Sequence, residues 1–144
     1  MAFLVDTNVL VYRFDGRDPH KQTIATQVLR RGLVEGTARI PHQAVLELVA
    51  VASRPLGPGG LPLLAPEEAR REAEDLLAQF PILYPTEEVV RTALRGAAAY
   101  QLPWFDAHLW AYAEAYGLRE ILSEDFEHDR RYGTVTIRNP FAES

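Results

Sequence analysis

With 144 residues, 47 % of them hydrophobic, the chain is long enough for one compact domain with a substantial core. No apolar run approaches the roughly 20 residues of a membrane helix, and neither a basic region nor a cleavage site precedes the first strand, so a cytoplasmic protein without a signal peptide is expected. A net charge of −5 argues against nucleic-acid affinity by bulk charge, and the absence of cysteine rules out disulfides and thiolate zinc sites.

Residues 2–5 read as a strand buried on both faces, followed by Thr7 and Asn8, which suit the cap of a helix. Ile24, Val28 and Leu29 recur at helical spacing within 19–35, and Gly36 closes that helix. Ala38-Arg39-Ile40 is a short strand, and Pro41 opens a helix over 42–53 with Val45, Leu48, Val49 and Ala52 inward. The segment 55–65, with three Gly and three Pro, is a loop. Pro66-Glu67-Glu68 starts a helix that runs to about Phe80, with acids where the helix dipole favours them. Residues 81–84 form a third strand, and Thr86 with Glu87 and Glu88 launches helix 87–100. A helix over 104–116 ends at Gly117, and strands follow at 120–123 and 134–138.

Strands separated by helices imply an α/β fold, with a central parallel sheet of about five strands flanked by helices on both faces. Residues 1–144 then make a single domain. In such sheets ligand sites gather beyond the carboxyl ends of the strands.

Four acids stand in apolar surroundings near that edge. Asp6 ends the first strand, Glu47 interrupts Ala44-Val45-Leu46 and Leu48-Val49, Asp106 follows Trp104-Phe105, and Asp125 follows Ile121-Leu122-Ser123. Buried charges are costly unless paired or bound to metal. Lys21 is the only lysine, and no Arg lies within three positions of Asp6, Glu47 or Asp106. Each acid also has an ordinary structural reading. Asp6 suits a helix N-cap, Glu47 an exposed helix position, Asp106 a first-turn acid, and Asp125 a solvated charge run with Glu124, Glu127 and Asp129. All four coinciding at one sheet edge favours a cation site.

Other candidates are weaker. His20, His42, His108 and His128 lack zinc spacing, and neither a P-loop nor GxGxxG occurs. Trp104, Phe105, Trp110, Tyr112 and Tyr116 read as core rather than as a stacking platform. Ser123 is a hydroxyl ligand candidate near the acids.

The opening VDTNVL, the helix QAVLELVAVASRP, the segment LPWFDAHLWAYA and the close ILSEDF…VTIRNPF resemble the PIN-domain family, in particular its VapC-type toxins. The resemblance runs from about residue 3 to residue 141. It implies a metal-dependent ribonuclease whose motif acids fall on Asp6, Glu47, Asp106 and Asp125. The fourth position stays open between Asp125 and its acidic neighbours Glu124 and Asp129. It further implies a homodimer and a small antitoxin whose basic tail lies over the site.

Clustered carboxylates suit hard cations, Mg²⁺ or Mn²⁺. A bound ion would neutralise them, activate a water and orient a phosphate. Asp6, Asp106 and Asp125 are the expected metal ligands, and Glu47 a ligand or the orienter of the attacking water. Thr7, Asn8 and Ser123 are expected to position water or phosphate. RNA as substrate comes from the resemblance, and single-stranded or loop RNA suits a recessed site. Three other readings stay open: a processing nuclease outside any toxin pair, a receiver-like phosphate-transfer domain and a catalytically silent acidic binding module. Against the phosphate-transfer reading, VDTNVL lacks a second Asp of a DxD motif and Lys21 stands poorly placed for a phosphoryl group.

Overall fold

The computed structural model describes residues 1–142; the last two positions of the expected 1–144 domain lie outside the described residues. Its elements are β1 (Phe3–Val5), α1 (Thr7–Tyr12), α2 (Pro19–Glu35), β2 (Ala38–Pro41), α3 (His42–Ala52), α4 (Pro66–Gln79), β3 (Ile82–Leu83), α5 (Glu87–Tyr100), α6 (Trp104–Ala115), β4 (Glu120–Leu122), β5 (Arg131–Tyr132) and β6 (Val135–Arg138).

The strands form one sheet in the order β3-β2-β1-β4-β6-β5. Five run parallel, as expected. The sixth, β5, pairs antiparallel with β6 through Arg131–Thr136 and Tyr132–Val135. Its two residues are too few to show any period in the sequence.

Side-chain alternation along the strands splits the core into two layers. Val5 and Leu122 face α1–α4, with Leu10, Leu29, Leu48 and Leu76. Leu4, Ile121 and Ile137 face α5 and α6, with Val89, Leu109, Trp110 and Tyr112. Burial on both faces is why β1 reads as an uninterrupted apolar run. Gly36, at φ 69°, closes α2 as a left-handed cap. Thr86 caps α5 by accepting from the Val89 amide at 3.2 Å.

From β1 the chain builds outward to β2 and β3 on one side, and later to β4 and β6 on the other. The strand order therefore reverses between β1 and β4, which pair in parallel with Val5 beside Leu122. The crevice beyond the carboxyl ends at such a reversal is where α/β sheets hold ligands. Asp6 and Ser123 are the next residues of those two strands.

Candidate active site

Asp6 continues the sheet ladder, its amide donating to the Leu122 carbonyl at 2.9 Å. Its side chain is 8 % exposed, and Ser123 beside it is fully buried. The Ser123 hydroxyl donates to Asp6 Oδ2 at 2.7 Å, and the Thr7 amide donates to Asp6 Oδ1 at 2.7 Å. Asp6 itself is thus the N-cap of α1, which corrects the assignment of that role to Thr7 and Asn8. The helix starts one residue earlier than the sequence suggested, and Thr7 and Asn8 fall inside its first turn with side chains free for the site.

Both use that freedom. Thr7 Oγ1 donates to Glu47 Oε2 at 3.1 Å. The Asn8 amide nitrogen donates to Asp125 Oδ2 at 3.0 Å, with longer contacts to Asp6 Oδ2 at 3.3 Å and Ser123 Oγ at 3.4 Å. One NH₂ group therefore stands among three oxygens from β1, β4 and the turn after β4.

Glu47 reaches the site from the solvent side of α3. It is exposed, as is Leu46 before it, which corrects the expectation of an acid buried in an apolar helix. Gln43, one turn earlier, donates to Glu47 Oε1 at 3.0 Å, and its carbonyl oxygen lies 2.8 Å from His108 Nδ1. His108 thereby ties α6 to α3. Burial lowers its pKa, which keeps the ring neutral and suited to donate from Nδ1. Asp125 is exposed too, while Asp106 is partly buried in the first turn of α6.

The acids share one electrostatic field. Burial pushes the Asp6 carboxyl up to about 6; the bonds from Ser123 and Thr7 oppose this, while Asp125 and Glu47 add to it. Asp106 is raised as well, first by burial and then by Asp125. Among the described residues none of these four carboxyls has an ion pair; Arg17, on the wall of the same cleft, pairs with Asp15 at 2.8 Å. Every donor is a hard oxygen, the set that Mg²⁺ and Mn²⁺ prefer. Asn8 Oδ1 is buried without a partner beside them, a further oxygen available to an ion or its water. Among the described residues no three acidic or imidazole side chains stand close enough to enclose an ion as they are. The donor chemistry fits a divalent cation, and the Asn8 amide holds the carboxylates together at a wider spacing.

Of the other two fourth-acid candidates, Glu124 turns away. Its two carboxylate oxygens bind Tyr12 OH and Lys21 Nζ, each at 2.7 Å. Lys21 therefore reaches this edge, contrary to its expected remoteness, but it neutralises Glu124 rather than facing a phosphoryl group. Asp129 sits in the exposed turn before β5, its side chain 3.3 Å from His128. Trp110 and Tyr112 are core, as read, whereas Trp104 and Phe105 stand 48 % and 74 % exposed on the first turn of α6. Sequence reasoning missed Gln43, Tyr12, Lys21 and His108 as neighbours of the acids. Only Gln43 carried a signal, its i,i+4 spacing to Glu47.

Glu47 and Asp125 open into a cleft of about 330 Å³ whose wall also carries Thr7, Asn8, Tyr12, Asp15 and Arg17; Asp6 and Asp106 do not line it. A slightly larger cavity, about 360 Å³, lies between α2 and the sheet around Phe3, Val28 and Leu122; none of the acids lines it, and it does not compete as the site of chemistry.

A parallel α/β sheet with carboxylates drawn together at its switch point defines the class, a domain built to present acids at one edge. Its family follows from the sequence match: residues 3–133 match the PIN domain, and the chain belongs to that family. No curated protein sequence matches it significantly. Among solved structures it is similar to a DNA-bound VapBC from Salmonella typhimurium, with TM-score 0.70, 16 % identity and coverage of 97 % of this chain and 98 % of that one. A second is VapBC2 from Rickettsia felis bound to a promoter DNA fragment, with TM-score 0.71, 13 % identity and coverage of 96 % and 98 %. A third is VapC20 of Mycobacterium tuberculosis, described as a toxin that cleaves the sarcin-ricin loop, with TM-score 0.63, 12 % identity and coverage of 86 % and 90 %. At these identities the likeness is one of fold.

Proposed function

We propose that this PIN domain is a divalent-metal-dependent endoribonuclease, the toxin of a toxin–antitoxin pair. The observation that carries the reading is Asp6: a buried carboxyl raised to about 6, braced by Ser123 and facing Asp125 and Glu47 without a cation. Asp6, Asp106 and Asp125 would hold Mg²⁺ or Mn²⁺, and the bound ion would supply charge neutralisation and Lewis acidity for phosphodiester hydrolysis. Glu47, fixed by Thr7 and Gln43, orients the attacking water and accepts its proton. Ser123, fully buried, positions Asp6, while Thr7 and Asn8 on the cleft wall position Glu47, Asp125 and the phosphate oxygen. RNA is the substrate by analogy with VapC20, a toxin that cleaves the sarcin-ricin loop, and the recessed cleft suits single-stranded or loop RNA.

The toxin reading draws on neighbours solved as VapBC complexes. A basic antitoxin tail would complement the acidic cleft, a homodimer would cover apolar residues such as Leu46, Leu61 and Phe105, and the working compartment would be the cytoplasm. Among the described residues no helix is long and apolar enough to cross a membrane.

Purified protein should cut single-stranded RNA with Mg²⁺ or Mn²⁺ and stop on chelation. Asp6→Asn or Asp106→Asn should lower the rate by orders of magnitude with an unchanged circular dichroism spectrum. Cleavage that survives Asp6→Asn would belong to another site or a contaminant. Co-purification with the product of the adjacent reading frame tests the toxin assignment. A chain that cuts RNA, binds no neighbour and does not slow growth would be a processing nuclease instead.

A further inference from the structure

Four residues outside the acid cluster converge on the turn that carries Asp125. Glu124 Oε2 meets Lys21 Nζ at 2.7 Å, and Glu124 Oε1 accepts from Tyr12 OH at 2.7 Å. Lys21 Nζ also lies 3.2 Å from Tyr12 OH, 4.8 Å from the Tyr12 ring centre and 5.5 Å from that of Phe141. The Tyr12 and Phe141 rings pack edge to face with centroids 5.0 Å apart. The cluster thus joins α1, α2, the turn after β4 and the segment after β6. Its ion pair is partly buried, with the two side chains 30 % and 22 % exposed, so it is screened somewhat less than a fully exposed pair.

The turn itself is pinned on opposite sides. Ser123 is fixed inward by its bond to Asp6, and the Asp125 amide donates back to Ser123 Oγ at 3.1 Å. Glu124 is fixed outward by Lys21 and Tyr12. Asp125, between these anchors and the solvent, has the Asn8 amide as its side-chain partner at 3.0 Å and is itself exposed. An exposed carboxylate on a turn points where its backbone points, and here the backbone is set by the residues before it. The pairing also cancels the charge of Glu124, which would otherwise add one more negative group beside Asp6, Asp106 and Asp125.

We infer that Lys21, Glu124 and Tyr12 are positioning residues: they lock the Ser123–Asp125 turn and aim Asp125 into the acid cluster. Glu124 thereby serves the site as an anchor and not as its fourth acid. The inference rests on Asp125 belonging to the proposed metal site, but its first consequence, order in the turn, does not.

The test uses Lys21→Met and Glu124→Gln, with Lys21→Arg as the conservative rescue. In metal-free protein, hydrogen exchange at the Asp125 amide should quicken roughly tenfold or more in the first two variants, while amides of β1 and β4 keep their protection. Mn²⁺ affinity, read by calorimetry without RNA, should fall about tenfold or more. Lys21→Arg should restore both readouts, and Lys21→Met/Glu124→Gln should be no worse than either single change. Should Lys21→Met fail to fold, Tyr12→Phe removes the two bonds of the Tyr12 hydroxyl, to Glu124 and from Lys21, and gives the same pair of measurements. Unchanged exchange at Asp125, or faster exchange with unchanged Mn²⁺ affinity, overturns the positioning role. Faster exchange in a protein whose parent form binds no Mn²⁺ supports the lock on the turn and sinks the metal reading instead.

Discussion

Ser123 and Asp6 meet across the seam between β1 and β4, hydroxyl to carboxylate at 2.7 Å, from positions 117 residues apart in the chain. Both are buried where the strand order reverses. The bond favours the ionised carboxylate and partly offsets the burial that disfavours it. Asp6 is consequently held between two demands: it caps α1, which favours its charge, and it sits in the core, which opposes that charge.

Stability should report this tension through pH. The folded-state pKa of Asp6 is raised from 3.8 to about 6, so folded protein binds that proton more tightly than unfolded chain does. The stabilisation is full below 3.8 and is lost as pH rises through 6. A shift of this size corresponds to on the order of 2–3 kcal/mol. Asp6→Asn keeps the oxygen that accepts from the Thr7 amide and turns an NH₂ toward Ser123 Oγ, which can accept from it. It should be more stable than the parent at pH 7.5 without metal, and should lose that advantage by about pH 4. Urea melts of both proteins at three pH values isolate the Asp6 contribution. Equal slopes with pH would show that its carboxyl titrates normally.

The turn acids should separate cleanly. Asp129 is exposed and holds φ at 65°, a left-handed conformation that glycine adopts without strain. Asp129→Gly should change stability by less than about 1 kcal/mol and leave RNA cleavage intact, whereas Asp125→Asn should abolish it. The opposite ranking in a cleavage assay would move the fourth acid to position 129.

Packing between α5 and α6 supplies a prediction unrelated to chemistry. A Cβ at Gly96 would run into the Trp110 ring. That ring is buried, and its indole N–H donates to the Tyr132 carbonyl at 3.0 Å. Alanine normally favours a helix over glycine by about 1 kcal/mol, but the fixed ring makes overpacking the larger effect, about 1–3 kcal/mol. Gly96→Ala should therefore lower the melting temperature; a rise would mean that the indole can move aside.

What was legible in the sequence were features fixed by neighbours in the chain. Leu4-Val5 and Ile121-Leu122 reveal strands buried on both faces, and Pro19, Gly36, Pro66 and Thr86 mark helix ends. Asp6 and Asp125 stand out as candidates because each follows such a run. The errors came where tertiary structure decides. Asp6-Thr7-Asn8 offers three possible caps in a row, and the bond from the Thr7 amide to Asp6 Oδ1 selects Asp6. Glu47 looked buried because its neighbours are apolar, yet α3 leaves that face open and Leu46 with it. The pairings of Lys21 with Glu124 and of Gln43 with His108 join residues 103 and 65 positions apart, and no local spacing encodes them. Trp104 and Phe105 followed the pattern of a core helix and lie on its open first turn.

The bonds from Ser123 to Asp6 and from Asn8 to Asp125 each span 117 residues, and this bears on how the protein comes into being during translation. The first motif is made at once and the last only when the chain is nearly finished. Half-built chains on the ribosome have Asp6 but no partner strand to place it against, since β4 must be inserted beside β1 after all six helices exist. The cleft is therefore a late product of synthesis, and chains cut short before residue 120 lack both Ser123 and Asp125. The proposed activity would then reach a cell only through chains extended past Asp125.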